Sequence, residues 1–225
     1  ISVIFYLQMN KEHKNKHPNN YGKYLMNENT LNMLLPLLKT QKYFNNVKKH
    51  SNEDIDIDFD IFRELPISFV FDNARYYFQL VGIQPNLMDT YIDVEKHKEI
   101  NDRIVIHRTL RYQNHFINYK FLEKYKNLLF VGSNSEYEDI KKEVKNIEFY
   151  NCKDFLEMAM IMKSSKVFIG NSSVGFALAE AIKIPRLLEA CPNFPAAQPH
   201  GMNAFDFYFQ IHFEKFFKKL YEINL

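Results

Sequence analysis

Residues 166–189, KVFIGNSSVGFALAEAIKIPRLLE, read as a strand, a polar turn, a helix and another strand in direct succession. Val167–Gly170 is apolar, Asn171-Ser172-Ser173 is the turn, VGFALAEAIKI carries the spacing of an apolar helix, and PRLLEA returns to strand character. The same unit repeats upstream. DRIVIHRT (102–109) is a β-branched strand with polar residues at its end, followed by a helix-like stretch, NHFINYKFLEKYK (114–126), with apolar positions three and four apart. NLLFVG (127–132) is a second strand that leads through SNSEYED to a helix containing IKKEV, and IEFY (147–150) precedes a helix over DFLEMAMIMKSS. Strand and helix in alternation predict an α/β fold with a parallel sheet covered on both faces, a Rossmann-like unit over about residues 101–202. Beyond it PNFPAAQPHG is a loop, and AFDFYFQIHFEKFFKKLYEI predicts a closing Phe-rich helix within 203–225.

The first hundred residues are more irregular. ISVIFYL reads as a buried core strand, and Asn10–Gly22 as a solvated loop. Asn29 or Thr30 is placed to cap a helix through LNMLLPLLKTQKYF, which Pro36 should kink or end early. Asp54–Asp60, DIDIDFD, alternates acid and apolar residues as an edge strand would; a metal site on the face shared by Asp54, Asp56, Asp58 and Asp60 is the alternative.

Composition removes several classes of function. With 46% hydrophobic residues the 225-residue chain has a large core and is not intrinsically disordered. No apolar run approaches the roughly 18 residues of a membrane span. Lys+Arg 29 against Asp+Glu 27 is too balanced for nucleic-acid binding by bulk charge. Cys152 and Cys191 form no CxxC or Cys/His spacing, so neither a disulfide framework nor a zinc site is expected, and a reducing, cytoplasmic location fits.

In an open α/β sheet, ligands bind beyond the carboxyl ends of the strands. Three such ends carry polar loops: His107-Arg108-Thr109-Leu110-Arg111, Gly132-Ser133-Asn134-Ser135-Glu136, and Gly170-Asn171-Ser172-Ser173. The third opens onto a helix, whose N–H groups and dipole favour an anion. Ser172 and Ser173 add hydroxyls there, and Arg108 and Arg111 offer bidentate partners, so the set describes a diphosphate site. Each piece also has a plainer reading: Ser172 or Ser173 as a helix cap, the arginines as surface charges, His107 as a hydrogen-bonded structural residue.

IVIHRTLRYQNHF, FVGSNSEYED and VFIGNSSVGFALAEAIKIPRLLE together resemble the nucleotide-binding half of GT-B glycosyltransferases of the ADP-heptose:lipopolysaccharide heptosyltransferase type, family 9-like, over about residues 102–202. The resemblance implies two Rossmann-like domains with parallel sheets, a nucleotide-diphosphate sugar as donor substrate, a glycan acceptor, and inverting transfer without a structural metal or other cofactor. It also implies work on lipopolysaccharide or another surface glycan, with at most peripheral contact with a membrane. Position by position, Thr109 would contact the donor phosphate, Glu136 would lie near the ribose, and Lys153 or Asp154 near the base. Gly132, Asn171, Ser172 and Ser173 complete the donor-binding set with Arg108 and Arg111. The sequence departs from the family at Leu110, where a second hydroxyl is expected, at Asn114 in place of a phosphate-binding Lys, at Ser172 in place of an acid, and at Ala177 near a frequent His. No Gly-Asp turn precedes ISVIFYL, so residues 1–100 read as a partial acceptor-side domain, truncated at its amino end, with residues 203–225 packing across the domain interface. No general base is assigned; His107, Asp56, Asp58 and Asp60 are candidates. A nucleotide- or sugar-binding protein without catalysis and a GT-B-like sugar epimerase are the alternatives.

Overall fold

The structure, a computed structural model, describes residues 2–10, 26–64 and 72–223. The expected loop at 10–22 therefore lies, apart from Asn10, outside the described residues. Among the described residues there are eight strands and six α-helices: β1 (Ile4–Leu7), α1 (Glu28–Lys39), β2 (Asn46–Lys49), α2 (Asn73–Leu80), β3 (Ile104–His107), β4 (Leu128–Val131), α3 (Asn134–Ile140), β5 (Glu148–Tyr150), α4 (Phe155–Lys163), β6 (Val167–Asn171), α5 (Val174–Ile182), β7 (Arg186–Glu189), β8 (Ala204–Phe207) and α6 (Gln210–Ile223). β1 and β2 form a two-stranded parallel sheet, and the other six strands form one parallel sheet in the order β5-β4-β3-β6-β7-β8.

Parallel strands covered on both faces read as continuous apolar runs, and here successive side chains enter two separate cores. Ile104, Ile106, Leu128, Phe130, Val167, Ile169 and Leu187 join one core; Val105, Leu129, Val131, Phe168 and Leu188 join the other. α4, α5 and Leu37 of α1 close the second core. The first is closed by α6, whose Phe213, Phe217 and Leu220 recur at helical spacing and are fully buried. The sequence reading places α6 across the domain interface; in the structure its buried residues Phe213, Phe217 and Leu220 enter the core of the six-stranded sheet.

Four further expectations are corrected. AFDF is not helical but the edge strand β8, paired in parallel with β7. The 114–126 segment contains only a 3₁₀ turn, Lys120–Lys124, because Asn114 Oδ1 accepts from Phe116 N–H at 3.1 Å and Asn118 Oδ1 from Lys120 N–H at 2.6 Å. Local side-chain bonds of this kind offer the backbone an alternative to the helix. DIDIDFD is not a strand: the chain there is irregular and then 3₁₀ over Phe59–Glu64, and Ile55, Ile57 and Phe59 are exposed along with the acids between them. The helix after β4 is NSEYEDI, with IKKEV mostly beyond its end.

In the amino-terminal part, α1 starts after Asn27, whose Oδ1 accepts from Thr30 N–H at 3.0 Å, and Pro36 is tolerated three residues before the helix ends. β1 forms where expected, yet only Leu7 is buried and Ile4 is 43% exposed. Gln41 ties this part to the chain entering the large sheet, donating to Asp93 O at 3.1 Å and accepting from Asp93 N–H at 2.9 Å. At the edge of the large sheet where its strands begin, Arg186 is wholly buried and donates to Glu180 Oε2 at 2.6 Å and to His200 O.

Candidate functional site

The strand order reverses between β3 and β6. From β3 the chain proceeds outward through β4 and β5, then returns to β6 and proceeds the other way to β7 and β8. The carboxyl ends of β3 and β6 thus lie side by side, with His107 in register with Gly170, and that is the crevice where open α/β sheets take ligands. Two of the three sequence-predicted loops meet there, and the third ends the neighbouring β4.

Beyond the paired strands, one side chain ties the loop after β3 to the end of β6. Asn171, fully buried, donates to Thr109 O at 2.9 Å and Arg111 O at 2.6 Å, and its Oδ1 accepts from Thr109 N–H at 3.0 Å. The Thr109 hydroxyl lies 3.1 Å from both Asn171 Oδ1 and Arg111 O, so its single proton already has two acceptors. Asn171 and Thr109 therefore build the crevice wall. Ser173 occupies the cap position of α5, but its hydroxyl donates to Asn171 O at 2.9 Å and caps nothing. The start of α5 thus has no side-chain acceptor, although the first N–H groups of a helix have no partner within it. Ser172 is half-buried beside it and Val174 is exposed.

Arg108 is corrected from an anion partner to a structural cation. It is 4% exposed, and its guanidinium grips Glu189 at the end of β7, Nε to Oε2 at 2.7 Å and Nη2 to Oε1 at 2.9 Å. Glu189, itself wholly buried, also accepts from Asn114 N–H at 2.6 Å and Tyr119 OH at 2.8 Å. Burial works against the charge on Arg108, yet the bonded Glu189 carboxylate, with Glu143 beyond it, raises its pKa above the ordinary arginine value. Burial first, and Glu189 second, hold the Tyr119 hydroxyl protonated well above its usual range. Asn114 is a tether here: its Nδ2 donates to Ala190 O at 3.2 Å and Tyr208 O at 3.0 Å, after β7 and β8. Sequence reasoning missed Glu189 and Tyr119 as parts of this assembly; the only signal was a carboxylate ending an apolar strand. Arg111 stays half-buried on the same loop, its guanidinium 5.6 Å from the Tyr112 ring centre, and Tyr112 stacks on Phe194 with ring centres 4.4 Å apart.

The β4 loop is built as a helix start. Ser133 and Glu136 form a reciprocal capping box: Glu136 Oε2 accepts from Ser133 N–H at 2.9 Å and from its hydroxyl at 2.8 Å. That geometry requires Gly132, where a Cβ would lie 2.8 Å from the Phe130 ring and 3.1 Å from Glu136 Oε2. Asp154 caps α4, accepting from Glu157 N–H at 2.8 Å, and Lys153 N–H donates to Glu157 Oε2 at 2.7 Å.

His107 sits between these loops. Its Nδ1 is 2.7 Å from Val131 O, and because a carbonyl only accepts, Nδ1 carries the proton. Nε2 is buried without a hydrogen-bond partner. Burial pushes the imidazole pKa below its ordinary value, against the opposing effects of the Val131 bond and the Glu136 charge. Such a group is too enclosed to meet an acceptor hydroxyl. Asp56 and Asp58 are exposed in the irregular 54–60 segment, where Asp58 Oδ1 accepts from Asp60 N–H at 2.8 Å. Among the described residues no three His, Cys, Asp or Glu side chains come together as a metal site, and no helix is long and apolar enough to cross a membrane.

No family model matches the sequence, and no curated protein matches it. Among solved structures, the chain is similar to the dodecameric iron-containing heptosyltransferase TibC in complex with ADP-D-β-D-heptose, with a TM-score of 0.50 and 13% identity over 90% of this chain. This chain spans 62% of the length of that one. The described residues offer no cluster to hold the iron named for that protein. At this identity the likeness speaks to architecture, an α/β fold with a six-stranded and a two-stranded parallel sheet, matched to a heptosyltransferase framework.

Proposed function

We propose that this chain is a GT-B-type glycosyltransferase that takes a nucleotide-diphosphate sugar at the crevice between β3 and β6 and passes the sugar to a hydroxyl of a glycan acceptor. The observation that carries the reading is the uncapped start of α5 at the point where the strand order reverses. In the transfer, the acceptor oxygen bonds to the anomeric carbon as the bond to the diphosphate breaks, and negative charge grows on the departing phosphate. N–H groups and a helix dipole already aimed at that position stabilise the charge without reorganising. Arg111, on the same loop as Arg108, supplies a cation for the diphosphate. The reaction is inverting and draws on no resident metal, and the setting is the cytoplasm, with surface-glycan precursors as the acceptor class and at most peripheral contact with a membrane.

The test is calorimetry with ADP-glucose, UDP-glucose and GDP-mannose on the parent chain and on Val174→Asp. An acid in the first turn favours the helix but repels an anion, so the variant should be at least as stable as the parent and bind the donor at least about tenfold more weakly. Equal affinity would remove the diphosphate from α5. Binding without sugar transfer to any glycan acceptor would leave a nucleotide-sugar-binding protein in place of an enzyme.

A further inference from the structure

The first turn of α5 touches a buried group that the proposed reaction does not use. A Cβ at Gly175 would lie 2.4 Å from His107 Cδ2, the carbon bonded to Nε2, and 2.6 Å from Cγ, so the Cγ–Cδ2 edge of the imidazole packs directly against the helix start. Two independent features coincide there: a helix of nine residues without a side-chain cap, and an imidazole nitrogen, in a residue 4% exposed, that has no partner. The opposite nitrogen is committed to Val131 O, so a second proton can enter only at Nε2. Among the described residues the charged side chain acting on the ring is Glu136 of α3, and the α5 turn beside it, Ser173–Phe176, carries no ionisable side chain.

We infer that His107 couples the charge at the start of α5 to proton uptake: when a diphosphate binds there, the imidazole gains a proton at Nε2 from solvent and becomes the buried counter-charge of the ligand. This rests on the donor reading above. The free protein keeps His107 neutral, because burial and the positive end of the α5 dipole both oppose a second proton. A diphosphate at the same helix end reverses the sign of the local field and favours imidazolium. His107 is then a positioning residue that makes donor affinity depend on pH, and it need not touch the donor. The sign follows from linkage. Binding raises the imidazole pKa, so between its free and bound values the complex holds more protons than the free protein, and affinity rises as pH falls through that window. Above the bound value the dependence vanishes.

Nucleotide sugars suit the test because their diphosphate is a diester and does not titrate near neutrality. Calorimetry of ADP-glucose, UDP-glucose and GDP-mannose is run between pH 5.5 and 8 in buffers of different ionisation enthalpy. The expected result is uptake of a fraction of one proton, with affinity rising by up to tenfold per pH unit on the acid side, and loss of both in His107→Gln. NMR of the ring nitrogens of the parent chain reads the same event without a substitution: Nε2 should be unprotonated in the free protein at pH 7 and shift toward imidazolium on addition of the nucleotide sugar. Binding with no proton uptake and no change at the His107 nitrogens overturns the coupling and leaves the donor site standing. No binding of any of the three probes overturns the donor reading with it.

Discussion

Replacing Glu189 by Ala should be the most damaging single truncation at the strand ends. The carboxylate accepts four hydrogen bonds inside the protein, from Arg108 Nε and Nη2, Asn114 N–H and Tyr119 OH, and none of these donors is exposed. Without it, among the described residues, the Arg108 guanidinium keeps Glu143 Oε1 at 3.6 Å and the face of the Tyr119 ring, whose centre lies 4.8 Å away. Breaking a buried ion pair by removing one partner costs about 3–5 kcal/mol, because the other charge stays buried. At roughly 2–4 °C per kcal/mol for a chain of this size, the midpoint of thermal unfolding should fall by about 6–20 °C. Arg108→Met with Glu189→Met should cost less than Glu189→Ala, since removing both charges leaves no buried charge unpaired. Circular dichroism melts and urea titrations of the parent and the two variants decide the matter. A Glu189→Ala protein within about 1 kcal/mol of the parent would refute the reasoning, since a surface ion pair contributes no more than that.

Arg111→Ala should weaken nucleotide-sugar binding by about 1–3 kcal/mol, the range for a charge-assisted hydrogen bond; unaltered affinity by calorimetry would take Arg111 out of the donor site. Gly175→Ala places a Cβ inside the His107 ring's contact distance and should cost about 1–3 kcal/mol in urea unfolding, although Ala is otherwise the better helix residue. Adding His107→Ala should recover part of that loss. His107 also makes stability depend on pH: its folded pKa lies below the unfolded value of about 6.5, so the unfolded chain binds more protons as pH falls through 6.5, and stability drops by at most about 1.4 kcal/mol per pH unit until the folded pKa is reached. Urea midpoints from pH 7.5 to 5 should fall less steeply in His107→Gln than in the parent.

The strands IVIH, LLFV and VFIG were legible because both of their faces are buried, and a continuous apolar run is how such a strand must look. The reversal of strand order could be anticipated only as a class rule; the structure places it between β3 and β6. β8 was hidden because AFDF runs through Tyr208 and Phe209 into QIHFEKFF, and the aromatic residues satisfy strand and helix spacing at once. DIDIDFD misled for the opposite reason: alternation makes a strand only where a partner exists, and here its apolar residues stay exposed. Ser133 and Glu136 carry the S-x-x-E pattern of a capping box, and the structure uses both for that purpose. The role of Arg108 could not be read locally at all, because the residue that consumes its guanidinium lies 81 positions away.

That separation has a consequence for how the protein acquires its order. Thr109 waits for Asn171, 62 residues on, Arg108 for Glu189, and Asn114 for the carbonyl of Tyr208, 94 residues on. Bringing such distant partners together costs chain entropy before any contact rewards it, so chains rich in them fold slowly. On a ribosome, the loop from Arg108 to Asn114 emerges early and lacks Asn171, Glu189 and the Tyr208 carbonyl until β6, β7 and β8 have followed in turn. The segment that walls the crevice is therefore among the first synthesised of the large sheet and the last to be fixed.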